Sequence, residues 1–346
     1  MFIMKKYFLL AAITCYSLLL KAQDDKQPYM VKSLSNEGIT DAKLEASGGG
    51  ISVTGVSASE AKLEVFVTPN NNQHLTKEEI QQRLDEYYTI SISASNHQLV
   101  ASVRQKNSNN MNWKRSVNVS FKAYLPVNVN TNLETSGGGI SLSNLNGTQV
   151  FKTSGGGIDV ENVKGKMKGR GSGGGIEVTN SSNDIDLVTS GGGISAKGCT
   201  GNVRLHTSGG SLHLEDLDGD IEAETSGGSI DADGIKGELT ASTSGGSIRL
   251  ANLLCKVEAE TSGGGINAEI KDTTKDVKLR NSGGDIVVQL PANKGFNIDL
   301  NANKINVELR NFSGSADEHS IVGKLYGGGA LIDVHSSGGR VDVRFK

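Results

Sequence analysis

The stretches ETSGGGISLSN (Glu134–Asn144), KTSGGGIDVEN (Lys152–Asn162) and VTSGGGISAKG (Val188–Gly198) share one phrase, Thr-Ser-Gly-Gly-Gly-Ile. Ser-Gly-Gly begins at Ser136, Ser154, Ser172, Ser190, Ser208, Ser226, Ser244 and Ser262, always at intervals of 18 residues. Further copies begin at Ser47, Ser282 and Ser337. A short, constant period means stacked supersecondary units, so the phrase reads as a corner of the architecture and not as a binding loop.

Counting each Ser as position 0, position +4 is Ile or Leu throughout (Ile140 to Ile266), and +6 is Leu, Val or Ala, with polar residues between them. That alternation is a half-buried strand. Apolar residues return at +9 (Leu145, Val163, Cys199, Leu217), +13 (Met167, Ile185, Val203) and +15 (Phe151, Leu187, Leu205), which makes a second strand facing the same interior. Gly at +11 (Gly147, Gly165, Gly201, Gly219, Gly237) marks the second corner, where the chain needs φ > 0. Asn144, Asn162, Asn180 and Asn252 form a column at +8. Their amides, and the Ser at position 0, are placed to bond from coil to coil. The fold expected is all-β: a right-handed parallel β-helix or β-solenoid with two strands per 18-residue coil and rungs about 4.8 Å apart.

The organisation follows. Residues 1–22 read as a signal peptide, with Lys5 and Lys6 before an apolar run from Tyr7 to Leu20 and a cut after Ala22. Cys15 raises lipidation as an alternative, but the apolar YSLLL that follows it is a poor tether. No other long apolar run follows, so no transmembrane segment is expected in the mature chain, and the signal peptide predicts an extracytoplasmic location. Residues 23–135 hold the first coil at Ser47 and a strand-rich excursion. There LTKEEIQQRLDEYY (Leu75–Tyr88) predicts one short helix near 76–88, with Thr76 and Glu79 as a capping box. Residues 136–281 are the regular array, and 282–346 are degenerate coils and a cap.

The chain of 346 residues has net charge −3, which becomes −6 once Lys5, Lys6 and Lys21 are removed; this balance excludes a general nucleic-acid binder. With 45 Gly and only 4 Pro, it is neither collagen nor a Pro-rich linker.

YLPVNVNTNLETSGGGISLSNLNG (Tyr124–Gly147), followed by coils of the G-x-I-x-V-x-x-x-x-G kind, resembles the bacterial secreted and envelope family labelled "putative adhesin". The resemblance runs from about Ser33 to Lys346. It implies a β-solenoid outside the cytoplasm, of unknown function, and brings no catalytic residues.

Candidate chemistry is sparse. LEDLDGDIEAE (Leu214–Glu224) offers Asp216, Asp218 and Asp220 around Gly219 as a weak Ca²⁺ candidate, the simpler reading being a solvated acidic corner. VKGKMKGRGS (Val163–Ser172) aligns Lys164, Lys166, Lys168 and Arg170 on one outward face, suited to an anionic glycan. The next coil sets Asp184 and Asp186 opposite Lys166 and Lys168 as ordinary cross-strand pairs. His206 and His213 face out on different strands without a partner carboxylate, a poor zinc site. Thr at +17 points inward, so no ice-binding ladder is expected. Tyr87, Tyr88 and Trp113 lie in the excursion, where they either meet a partner or form the core of a cap. The reading is therefore a non-enzymatic binding or structural module without cofactor or assigned metal. Its partner class would be a cell-surface glycan or envelope component, with a polysaccharide-acting parallel β-helix enzyme as the alternative.

Cys199 at +9 and Cys255 at +11 belong to units three coils apart, roughly 14 Å along the stack, beyond the reach of about 7 Å between Cα atoms in a disulfide. The expectation is two unlinked thiols, Cys255 the more exposed. Titration of the mature protein, denatured but unreduced, should find both; finding neither in a monomer would break the coil register.

Overall fold

The computed structural model describes residues 27–70, 75–106, 115–271 and 274–346. The segment expected to be a signal peptide, Cys15 and Trp113 lie outside the described residues.

Each coil contributes a short strand to one ladder and a longer strand to the other. In the first ladder Ile140–Ser143, Ile158–Glu161, Ile176–Thr179, Ile194–Lys197, Leu212–Glu215 and Ile230–Asp233 pair in parallel, each with the next. In the second, Gln149–Thr153, Lys164–Gly171, Ser182–Thr189, Thr200–Thr207, Asp218–Thr225 and Lys236–Thr243 do the same. Every described strand pairing from Ser136 to Leu279 is parallel and coil to coil, as the period requires. The residues at +4, +6, +9, +13 and +15 close one core between the ladders. Volume is balanced locally: Gly169 occupies the +15 position beside Phe151, whose ring would lie 2.2 Å from a Cβ there.

The glycines of the first corner do not have left-handed φ angles. What they need is proximity: a Cβ on Gly156, Gly192, Gly210 or Gly228, all at +2, would lie 2.1–2.4 Å from the backbone of the coil before. The positive φ belongs to the second corner. There Gly165, Gly201 and Gly219 have φ of 118°, 104° and 139°, and Asn144, Asn162 and Asn180 have φ of 58°, 54° and 50°. The Asn column therefore marks a left-handed backbone first. Of the expected amide ladder, the bond from Asn162 Nδ2 to Asn144 Oδ1 (3.2 Å) forms.

The hydroxyl that spans the first corner is not Ser at position 0 but Thr at +17. Thr207, Thr225 and Thr243 are buried and donate to the carbonyls of Gly192, Gly210 and Gly228, at 2.7, 2.8 and 2.8 Å. Each also accepts from the +2 glycine of the following coil, as Thr225 does from the Gly228 N–H at 3.3 Å. Where +3 is Ser, a second hydroxyl ladder runs outside, from the Ser229 N–H to Ser211 Oγ and from the Ser247 N–H to Ser229 Oγ.

The same bond locates the ends. The coil opened at Ser47 is closed by Thr135, which donates to the Gly49 carbonyl at 2.7 Å. The intervening chain passes beneath it. Gln98–Gln105 and Val117–Pro126 form a further rung under Asp41–Ala46 and Ile51–Val56, and Lys62–Pro69 and Tyr88–Ser95 add to that rung in antiparallel fashion. The helix runs Lys77–Tyr87 with both halves of the Thr76/Glu79 capping box present, and it buries Leu84. At the other end, Ser336 closes the coil opened at Ser282 by donating to the Gly284 carbonyl at 2.9 Å. Ala330–Ser336 and Arg340–Phe345 thus stack directly on Val277–Asn281 and Ile286–Leu290. The earlier segments Phe296–Asn301 and Lys304–Val307 lie beyond them. The degenerate coils exist, but they do not stack in sequence order.

Cys199 is buried as expected, and Cys255, anticipated as the more exposed thiol, is buried almost as fully, at 1% against 0%; neither forms a disulfide. Cys255 sits where most other coils have a positive-φ glycine and one has Asn183, also at positive φ. Cys lacks the tolerance of Gly and Asn for that bend, so Ile248–Thr261 runs through as one strand and its alternation turns Leu253, Cys255 and Val257 inward.

Two neighbouring glycines should therefore respond differently. Gly227→Ala meets only ordinary contacts, at 3.4 Å, and should leave stability nearly unchanged, while Gly228→Ala, at 2.1 Å, should cost about 3 kcal/mol or more. Thr225→Val should lose about 1–2 kcal/mol, and Thr225→Ser much less, in urea unfolding.

Candidate binding face

The outward positions of the second ladder are +10, +12, +14 and +16, since the alternate residues fill the core. On Lys164–Gly171 these are Lys164, Lys166 and Lys168, all exposed, and Arg170, half-buried. The register sets Lys166 beside Asp184 and Lys168 beside Asp186, as the spacing predicts. The ion pair formed is instead diagonal. Arg170 forks onto Asp186, Nη1 to Oδ1 at 3.0 Å and Nη2 to Oδ2 at 2.7 Å. A planar guanidinium matches both carboxylate oxygens, which an ammonium cannot do. The Arg170 hydrogen bonds hold the Asp186 carboxyl below its ordinary range against the opposing effect of burial.

Similar bonds tie coil to coil elsewhere: Arg204 to Glu222 and Lys256 to Glu238 on this ladder, Lys197 to Glu215 on the other, each at 2.7 Å. A shallow groove of about 690 Å³ crosses the second ladder between Lys166 and Glu238, with Arg204, Asp220 and Glu222 in its wall. Sequence reading did not single out Arg204 or Glu222; counting +14 from each Ser would have found them.

The three carboxylates considered for Ca²⁺ are not gathered. Asp216 has left-handed φ (54°) at the corner, whereas Asp218 and Asp220 follow on a strand, spaced along its exposed face. Extended backbone separates such side chains by nearly 7 Å, too far to share one ion without a loop. Among the described residues no three His, Cys, Asp or Glu side chains converge as a metal site. His206 does have a carboxylate neighbour, contrary to expectation: Nδ1 lies 3.3 Å from Glu224 Oε2. His213 is on the other ladder, beside Asp231.

In the N-terminal cap the two tyrosines part company. Tyr88 is 6% exposed. Its hydroxyl donates to the Val117 carbonyl (2.8 Å) and accepts from the Val117 N–H (3.2 Å), and burial pushes the phenol up. It is a core residue and offers no surface to a partner, because the strand that follows the helix turns it inward. Tyr87 is half-buried under the Arg115 guanidinium, 5.9 Å from its ring. Tyr29, which sequence reading passed over, bonds to Gln81 of the helix and lies 5.8 Å below the Lys77 ammonium.

No described helix is long and apolar enough to cross a membrane. A family profile described as Toastrack DUF4097 matches residues 170–344, just over half of the chain. Similar solved structures include a "putative cell adhesion protein" from Clostridium sporogenes, with 11% identity over 92% of this chain and 98% of that one and a TM-score of 0.21. A "putative adhesin" from Bacteroides fragilis has 10% identity over 93% and 98%, with a TM-score of 0.29. Comparison with curated proteins finds no match.

The Asp186 pair has a pH signature. A carboxyl whose folded pKa is depressed adds stability above its unfolded value, near 3.9, and loses it as pH falls through the lower folded value. Asp186→Asn should therefore cost up to about 1 kcal/mol at pH 7, the pair being partly exposed. The gap from wild type should close towards pH 2–3 in thermal melts.

Proposed function

The chain belongs to the Toastrack DUF4097 family, and on that footing we propose that it is a non-enzymatic, adhesin-like β-solenoid acting outside the cytoplasm as a binding or structural module. One observation carries the reading. All the acidic groups along the groove but Asp220 are engaged in the scaffold: Arg170 holds Asp186, Arg204 holds Glu222 and Lys256 holds Glu238, each at 2.7 Å, and Asp184 accepts from Asn202 Nδ2 at 3.0 Å. A glycan-cleaving helix needs two carboxylates, one of them kept as an acid, at about 5–10 Å on either side of the bond to be broken. Carboxylates whose oxygens are taken up by adjacent cations are poorly placed to reach a substrate oxygen. A rigid ladder with charges repeated at each rung is better suited to meet an extended partner over many weak contacts.

The apolar reading of the signal segment supports an extracytoplasmic location, and the absence of aromatic side chains other than Phe151 between Ser136 and Ser282 favours polar recognition over sugar stacking. A panel of bacterial and host glycans, read for both retention and cleavage, tests the proposal. Retention without new reducing ends is the expected outcome. Cleavage products that vanish in Asp220→Asn would replace this reading with the enzymatic one.

A further inference from the structure

The outer face of the second ladder carries two opposite charge blocks in matching columns. Lys164–Gly171 presents four cations outward, Lys164, Lys166, Lys168 and Arg170. Asp218–Thr225 presents four carboxylates from the same positions, Asp218, Asp220, Glu222 and Glu224, all exposed. The two strands are three rungs apart, with Ser182–Thr189 and Thr200–Thr207 between them.

We propose that this face binds a second copy of the chain, about a two-fold axis that runs along the strand direction between those two middle strands. Such an axis reverses the order of rungs and keeps the columns. Lys164 then meets Asp218 of the other copy, Lys166 meets Asp220, Lys168 meets Glu222 and Arg170 meets Glu224. The inner rungs agree: Asp186 opposes Arg204, and Asp184 opposes Asn202. Each pairing occurs twice, as an isologous contact requires. The axis along the stack is ruled out by the same charges, because it would place the cationic strand on itself.

The five groups that gain most are those without an ion pair among the described residues, Lys164, Lys166, Lys168, Asp218 and Asp220. Arg170, Arg204, Glu222 and Glu224 keep their neighbours within the ladder and complete charge networks across the contact. A polyanion fits less well. Laid over the cationic strand, it meets Asp184 and Asp186 one rung away. Four rungs of eight-residue strands make a contact on the order of 1,000 Å² in total, the lower end for specific interfaces. The dimer is accordingly weak and governed by charge.

Sedimentation velocity of the mature protein, from low to high NaCl, tests this. A dimer at low salt should weaken by roughly tenfold or more as the screening length drops from about 10 Å at 0.1 M to about 3 Å at 1 M. Lys164→Glu with Lys166→Glu should be monomeric, and so should Asp218→Lys with Asp220→Lys. Mixed in equal amounts, the two variants should form a heterodimer, because each supplies the charge the other lacks. Circular dichroism of each variant checks the fold. A wild type that stays monomeric at low salt overturns the proposal, as does a dimer indifferent to both reversals or a mixture that does not associate. Binding of heparin by the cationic strand in a protein that stays monomeric would assign the face to a polyanion instead.

Discussion

The structure depends on how closely successive backbones approach at the Ser-Gly-Gly corner. At the +2 glycine there is no room for even one carbon: a Cβ on Gly246 would lie 2.0 Å from the Gly228 carbonyl oxygen. That contact lets the backbone ladder continue around the bend, as in the bond from the Gly227 N–H to the Ser208 carbonyl at 3.1 Å. It also leaves polar groups inside the corner, and the Thr hydroxyl at +17 satisfies them by donating to one coil and accepting from the next. A threonine suits this because its methyl can join the core while its hydroxyl reaches the backbone. Asn281 and Ser336 do the same work where the repeat loosens, by donating to Gly264 and Gly284.

Once the corners are satisfied, the outward residues are released from the fold. Any polar side chain can stand at +5, +7, +12 or +14, and its neighbours are the residues one period away. Charge pairing between rungs follows from that adjacency, and it explains the diagonal Arg170–Asp186 fork as well as the direct Lys197–Glu215 pair. Individually such exposed pairs contribute little to stability. Collectively they set the charge that the face presents, column by column.

The ends solve a different problem. A parallel ladder that simply stopped would offer two open edges for further strands. On the second ladder the terminal rungs are covered by antiparallel strands, Tyr88–Ser95 on Gln98–Gln105 at one end and Ser320–Leu325 on Phe296–Asn301 at the other. The helix Lys77–Tyr87 adds Leu84 to the core at the first end. Both ends are built by inserting a later or earlier segment into the stack out of order, so the contacts there link residues far apart in the chain.

The period of 18 residues, the inward columns and the helix with its capping box were legible in the sequence, because each is a local or strictly repeating demand on residue type. The register of Lys166 with Asp184 followed directly from that period. What lay beyond it was decided by contacts between coils. The Ser-Gly-Gly phrase marked a corner, but its demand for close approach between backbones is one that no single coil reveals. The Thr column looked like one more inward position until its two backbone partners were in place. Cys255 turned inward because its coil lacks the glycine or asparagine that bends the others, and Tyr88 because of the strand after the helix. The order of the terminal coils could not be counted from the chain, since degenerate repeats fit any rung locally and only the packing of both ladders selects one.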